Sequence, residues 1–359
     1  MIIEELLAGK RKLERMDPVI YEKVRKKWDA LAKPLDSMGK FEEITARIAA
    51  AQRREDPDIS KKCLVVMCAD NGVVTEGISQ SGQEVTLAVA KAMGEGKSNV
   101  CKMAVQNKIE VLPVDIGINC IDTPKGLLPR KIARGTKNFA RERAMSEKET
   151  LQALESGILI AMEKKKEGCS LFCSGEMGIG NTSSSTALAA ALLGKNAAEL
   201  TGAGAGLDQA GLERKRKIIQ GAIDRYGLYQ AKPLEVLGAV GGFDLAGLCG
   251  LVIGSALAHV PVILDGSIAL SAAYAAVKIF PETADYVLAS HISREPIAEA
   301  LIKEMNLLPV IDANMALGEG TGAVMFCGLL DTAMSIYSDR LSFSDIKIEA
   351  YKRFDGEEK

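Results

Sequence analysis

From residue 62 onward, five short apolar runs alternate with longer stretches at helical spacing, and each run ends in a small or polar turn. Residues 64–68 lead into Ala69-Asp70-Asn71-Gly72, and 110–114 into Asp115-Ile116-Gly117. Residues 170–173 lead into Ser174-Gly175-Glu176-Met177-Gly178-Ile179-Gly180-Asn181-Thr182. Residues 260–264 lead into Asp265-Gly266-Ser267, and 286–289 into Ser290-His291. Uninterrupted apolar runs of this length suit strands buried on both faces, and their alternation with helices predicts an α/β fold with a mostly parallel sheet. In such sheets ligands bind beyond the carboxyl ends of the strands. One polar turn there is ordinary loop chemistry; five together point to a site.

The chain ends read differently. Residues 1–60 are charged and helical in period, with Ile20, Val24, Trp28 and Leu31 on one face, and 323–341 are apolar at helical spacing. We expect residues 1–60 and about 323–359 to form a small helical domain, and 61–322 a large α/β domain carrying the site. Residues 245–264 hold no acidic or basic side chain and approach the length of a membrane span. His259 and Pro261 interrupt them, so a buried helix feeding a buried strand is the expectation, with no membrane span.

A net charge of −2 with 26% charged residues gives no broad basic face for nucleic acid. The eight cysteines form no C-x-x-C pair and sit mostly in apolar surroundings, and there are only two histidines. That pattern fits a reducing, cytoplasmic setting without disulfides and offers little to a zinc site. The start of the chain alternates acid and base and lacks the apolar core of a signal peptide. We expect no metal and no cofactor.

Two glycine-rich loops stand out. Gly202-Ala203-Gly204-Ala205-Gly206-Leu207 precedes a helix carrying Arg214, Lys215, Arg216 and Lys217. Its backbone amides can approach a phosphate, although it matches neither the Walker A nor the dinucleotide spacing. Leu317-Gly318-Glu319-Gly320-Thr321-Gly322 precedes the last apolar helix. Glu319 is either a favourable charge at a helix N-terminus or a general base aimed into a cavity.

These motifs resemble, in order and from Lys33 to about Phe343, the nicotinate-nucleotide–dimethylbenzimidazole phosphoribosyltransferases, the CobT family. The matching stretches include Lys33-Pro34, Cys68-Ala69-Asp70-Asn71-Gly72-Val73, Val114-Asp115-Ile116-Gly117 and Gly175-Glu176-Met177-Gly178-Ile179-Gly180-Asn181-Thr182. Val240-Gly241-Gly242-Phe243-Asp244, Pro261-Val262-Ile263-Leu264-Asp265-Gly266 and the Glu319 loop complete them. The resemblance implies a Rossmann-like large domain, a smaller helical domain from both chain ends, and a dimer. It implies transfer of the phosphoribosyl group of nicotinate mononucleotide to an aromatic lower-ligand base, releasing nicotinate and giving an α-ribotide for cobamide synthesis. By resemblance Glu319 is the general base, Glu176 lies near the ribose, and Lys215 favours the anionic donor. Nucleotide or phosphate contacts are implied at Gly178, Gly180, Asn181, Gly204, Gly206, Asp265 and Ser293.

The acceptor pocket implied by the resemblance comprises Ser81, Val89, Met177 and Leu317. Val89 stands where well-known members carry glutamine, and Met177 where some carry leucine, which makes the pocket more apolar and adaptable. Phenol or p-cresol is therefore an alternative acceptor, with the chain as one subunit of a heterodimer of paralogues. A non-catalytic nucleotide-binding partner subunit is a further alternative, which the presence of Glu319, Glu176 and Lys215 opposes.

Overall fold

The computed structural model describes residues 1–204 and 206–353. Six parallel strands, β1 (Lys62–Ala69), β2 (Glu110–Gly117), β3 (Leu128–Pro129), β4 (Leu171–Met177), β5 (Val262–Leu264) and β6 (Val287–Ala289), form one sheet in the order β3-β2-β1-β4-β5-β6. This is the doubly wound, Rossmann-like order, with its reversal between β1 and β4. The five apolar runs all became strands. Three of them extend into the turns the sequence suggested. β1 continues to Ala69 and β2 to Gly117, and β4 runs through Ser174, Gly175 and Glu176 because residues 171–177 pair with 62–68 of β1. Glu176 is thus fixed on a strand. β3 carries no apolar run and escaped notice.

The helices are α1 (Ile2–Leu7), α2 (Pro18–Asp29), α3 (Lys40–Gln52), α4 (Glu84–Gly94), α5 (Asn99–Gln106), α6 (Glu147–Lys166) and α7 (Asn181–Leu193). They continue with α8 (Ala197–Leu200), α9 (Gln209–Tyr226), α10 (Pro233–Val240), α11 (Phe243–Ala258), α12 (Ser267–Ile279), α13 (Pro296–Glu304) and α14 (Thr321–Ser338). Residues 245–264 divide as expected: α11 ends at His259, whose positive φ of 52° terminates the helix, and β5 begins at Val262. No helix among the described residues is long and apolar enough to cross a membrane.

Two cores flank the sheet. Val24, Trp28 and Leu31 of the N-terminal segment, Ile44 and Ile48 of α3, and Val324, Phe326 and Leu330 of α14 share one core with Leu64, Val66 and Cys173 of the sheet. Trp28 packs on Tyr337 at 5.2 Å between ring centres, and Phe41 stacks on Phe326. Arg353 makes paired bonds to Asp29 and Asp36, joining the end of the described chain to the first helices. α1 lies apart from this group: Glu155 of α6 accepts the amides of Ile2 and Ile3.

On the opposite face, α6 and α11 meet backbone to backbone. A Cβ at Gly157 would lie 2.1 Å from the Gly247 carbonyl oxygen, and one at Gly250 would lie 2.1 Å from that of Leu154. Backbone cannot retreat as a flexible side chain can, so only glycine fits. Gly250→Ala is expected to destabilise the protein by about 1–3 kcal/mol through overpacking. The check is denaturant unfolding, with a lowered midpoint as the outcome and an unchanged one as refutation.

Candidate active site

Loops from β4, β5 and β6 and the segment before α14 enclose a cavity of about 400 Å³ beyond the carboxyl edge of the sheet. Of the residues expected to form the site, Glu176, Met177, Gly178, Gly180 and Asn181 line it from β4 and the turn into α7. Asp265, Ser293, Leu317 and Glu319 line it from the other strand ends, with Val89 from α4 and Gly204 from the second glycine loop.

A chain of amides holds the acids beneath the cavity. Asp244, in the first turn of α11, accepts from Asn181 Nδ2 at 3.1 Å and from Asn71 Nδ2 at 3.4 Å. Ser184 Oγ donates to Asn71 Oδ1 at 2.7 Å, which orients that amide. Asn181 Nδ2 also donates to Glu176 Oε2, so one amide group serves two buried carboxyls. Burial, followed by the charge of Asp244, pushes the Glu176 carboxyl up to about 8. At neutral pH it is therefore mostly a neutral acid able to donate a hydrogen bond. Burial likewise raises Asp244 to about 6. Gly178 completes the packing: a Cβ there would lie 2.4 Å from the Ala69 carbonyl oxygen and 2.6 Å from Asp244 Oδ2.

Glu319 occupies an unusual backbone. Its φ is +61°, between Gly318 at +86° and Gly320 at +92°. A left-handed side-chain residue costs about 1–2 kcal/mol, so its surroundings must impose the conformation. Asp265 does this. Its Oδ2 accepts from Gly320 N at 3.1 Å, and its Oδ1 from Gly322 N at 2.8 Å and Ala323 N at 3.3 Å. The Glu319 carboxylate is buried, and its Oε2 accepts from Val100 N, in the first turn of α5, at 3.2 Å. Among the described residues nothing hydrogen-bonds its Oε1, which leaves that atom for a substrate.

Four of the expected residues are placed differently from the rest. Asp265 lines the cavity, but three backbone amides take up its oxygens, which makes it an anchor for the start of α14. Lys215 is fully buried behind the cavity wall, with Nζ 2.9 Å from Thr182 Oγ1 and 3.4 Å from the Gly202 carbonyl oxygen. Desolvation lowers its ammonium to about 8. Gly206 lies outside the lining, with its carbonyl bonded by Gln80 Nε2, and Ala205 lies outside the described residues. Ser81 also lies outside the lining; Ile78 and Ser79 of the same loop take its place.

Other contributors were missed: Asn71, Asp244, Thr182, Asn99, His291 and Glu295. Asn71 and Asp244 sat in quoted motifs, but only their 173-residue separation closing in space reveals the pairing. Ser290 Oγ donates to the Leu264 carbonyl oxygen at 2.7 Å, so its lone pair accepts from His291 Nδ1–H at 2.9 Å. That assigns the tautomer and leaves His291 Nε2 an acceptor.

A parallel α/β sheet with carboxyls and amide-rich turns gathered near its switch point defines a binding site for a small polar ligand. A phosphoribosyltransferase family model matches residues 13–348, and the chain belongs to that family. It is 40% identical over 332 residues, 92% of its length, to the nicotinate-nucleotide–dimethylbenzimidazole phosphoribosyltransferase of Ruminiclostridium cellulolyticum, covering 94% of that protein. The protein of the same name from Acetivibrio thermocellus is 38% identical over 329 residues, with 92% and 94% covered. The crystal structure of CobT from Thermus thermophilus superposes with a TM-score of 0.88 at 35% identity, covering 93% of this chain and 100% of that one.

The buried acids predict a pH signature. Glu176 takes its proton near pH 8 in the fold against an ordinary value of 4.5. Between those values the folded state holds more protons than the unfolded one. The stability this confers is complete below pH 4.5 and lost as pH rises through 8. Glu176→Gln, which cannot ionise, is expected to gain stability relative to wild type on going from about pH 5 to about pH 9. Unfolding midpoints at the two pH values test this; a difference that does not change with pH refutes it.

Proposed function

We propose that the chain transfers the phosphoribosyl group of nicotinate mononucleotide to an aromatic base, dimethylbenzimidazole or a relative, releasing nicotinate and forming the α-ribotide used as a cobamide lower ligand. One observation carries the reading: Glu319, pinned through Oε2 in an imposed left-handed turn, faces the same cavity as the protonated acid Glu176. The base's ring nitrogen attacks C1′ of the ribose from the side opposite nicotinate. The new N–C1′ bond forms as the bond to the nicotinate nitrogen breaks, inverting the β donor to the α product. Glu319 Oε1 takes the proton from the acceptor's other ring nitrogen. Glu176, neutral at pH 7, hydrogen-bonds the ribose without adding negative charge beside the donor's phosphate. Amides at the start of α7, including those near Gly180 and Asn181, with Gly204 and Ser293, receive the phosphate. Lys215 supports that side through Thr182 and the Gly202 carbonyl. This chemistry rests on positioning and one base.

A second acceptor class has its own support. Val89, Met177, Leu317 and Ile78 give the cavity an apolar wall, which suits phenol or p-cresol with the chain as one subunit of a paralogous pair. We place the protein in the cytoplasm and expect a dimer, homomeric or paralogous. Of the helical ends expected at 1–60 and about 323–359, α2, α3 and α14 are proposed as a small domain beside the large domain at 61–322, whereas α1 packs on α6 of the large domain and residues 354–359 lie outside the described residues.

Purified protein given nicotinate mononucleotide with dimethylbenzimidazole, benzimidazole, phenol or p-cresol should release nicotinate and yield a ribotide with at least one acceptor. The ranking identifies the acceptor class; donor binding without turnover under every condition overturns the reading for the chain alone. Glu319→Gln should bind the donor normally while kcat falls about a hundredfold to ten-thousandfold, as for loss of a general base. Unchanged turnover would remove Glu319 from that role.

A further inference from the structure

The phosphate side of the cavity already holds an anion of the protein's own. Glu295 precedes α13, with Pro296 at the first helical position, yet its side chain makes no cap bond to that helix. It reaches instead to the glycine loop, where Oε1 accepts from Gly204 N at 3.2 Å. The carboxylate lies flat on the loop: a Cβ at Gly202 would stand 2.1 Å from Glu295 Oε2. Glu295 lines the cavity together with Gly204, Thr182 and Ser293. Behind them, the Lys215 ammonium lies so near Gly204 that a Cβ on that glycine would meet Nζ at 3.2 Å. Lys215 feels the charge of Glu295 across this loop.

A backbone amide and a buried ammonium are what a phosphate monoester seeks, and here a carboxylate is seated on the amide. Two anions cannot share one N–H donor, and like charges held together are costly. We infer that Glu295 is an internal competitor for the donor's phosphate: it covers the Gly204 amide when the site is empty and must swing away when a phosphorylated donor enters. The inference rests on the proposed reading of the Gly204 loop as the phosphate side. Glu295 thereby sets donor affinity. Apparent affinity is reduced in proportion to the fraction of molecules in which the carboxylate leaves the amide free, a penalty that a variant without the charge carries in smaller measure. Only ligands with a phosphate are weakened in this way, because a nucleoside lacking it never contests the amide.

The test is calorimetric titration of wild type, Glu295→Gln and Glu295→Asp with nicotinate mononucleotide and, separately, with nicotinate riboside. Thermal unfolding of each protein verifies the fold. Glu295→Gln is expected to bind the mononucleotide about three- to thirtyfold more tightly, with riboside binding unchanged. Glu295→Asp keeps the charge but is one methylene too short to hold the Gly204 amide, so it should fall between the two. If Glu295→Gln does not fold, the aspartate variant alone decides. Unchanged mononucleotide binding overturns the proposal. So does weaker binding of both ligands, which would make Glu295 a contact to the ribose. Nicotinate release by wild type with an acceptor is measured in parallel. Its failure would count against the transferase reading, whereas turnover with no tightening in the variants counts against the role of Glu295 alone.

Discussion

The Asp265 carboxylate joins the end of β5 to the start of α14, and the geometry of the reacting centre depends on that junction. Gly320, Gly322 and Ala323 give it three amides that α14 cannot satisfy internally, because the first turn of any helix leaves such donors free. The arrangement stabilises the helix N-terminus electrostatically. It also fixes the backbone two residues before that helix, where Glu319 sits at positive φ. Without the anchor, the strain at Glu319 would relax towards an ordinary conformation and its carboxylate would leave the Val100 amide. In the fold, Asp265 is the fixture that sets the position of Glu319.

The same bonding to amides governs the other acids. Glu176, Asp244, Asp265 and Glu319 lie close enough for Glu176 to feel the charge of all three. Four full negative charges in one desolvated pocket would be prohibitive, and the structure resolves the crowding in two ways. Asp265 and Glu319 are bonded to backbone amides, and at Asp265 these bonds offset part of the burial that raises it to about 6. Glu176 and Asp244 share the amide of Asn181, and Glu176 holds a proton at neutral pH. The result is one carboxyl held by a backbone amide and one neutral acid in a single cavity, set apart by what each is bonded to.

Much of this was legible in the chain. The strands were readable because β1 and β4 are covered on both faces and appear as apolar runs; the two residues of β3, half exposed at the sheet edge, carry no such mark. Glu319 was conspicuous between glycines, and positive φ at all three residues explains why those glycines are there. The roles of Asn71 and Asp244 could not be read, because they arise only when β1 and α11 pack. Distance along the chain misled in the opposite direction at Lys215 and Gly206. Both belong to the glycine-loop region, but the helical phase of α9 turns Lys215 into the protein, and the Gly206 carbonyl turns towards Gln80. A motif specifies that a loop is present; side-chain direction and register specify which of its atoms face the ligand.

Under the proposed function the cavity divides its labour unevenly, with one wall for the donor and another for the acceptor. The donor side is built from backbone: glycines at 178, 180 and 204 that no other residue could replace without a clash or strain, and amides whose positions follow from helix starts. Substitution there would disturb the fold itself. The acceptor side is built from side chains, with Val89 on α4, Met177 at the last position of β4 and the exposed Leu317 on the loop before Glu319. Apolar side chains of similar volume can be exchanged at modest cost, and methionine adapts to irregular shapes. An apolar wall supplies area without direction, so it grips any flat ring of suitable size. In the proposed transfer, orientation comes from the one directional contact assigned to the acceptor, the proton it would give to Glu319. On that reading, a ring nitrogen and a phenolic oxygen would meet the same carboxylate and the same C1′, and the side chains of Val89, Met177 and Leu317 would choose between them by where the ring settles.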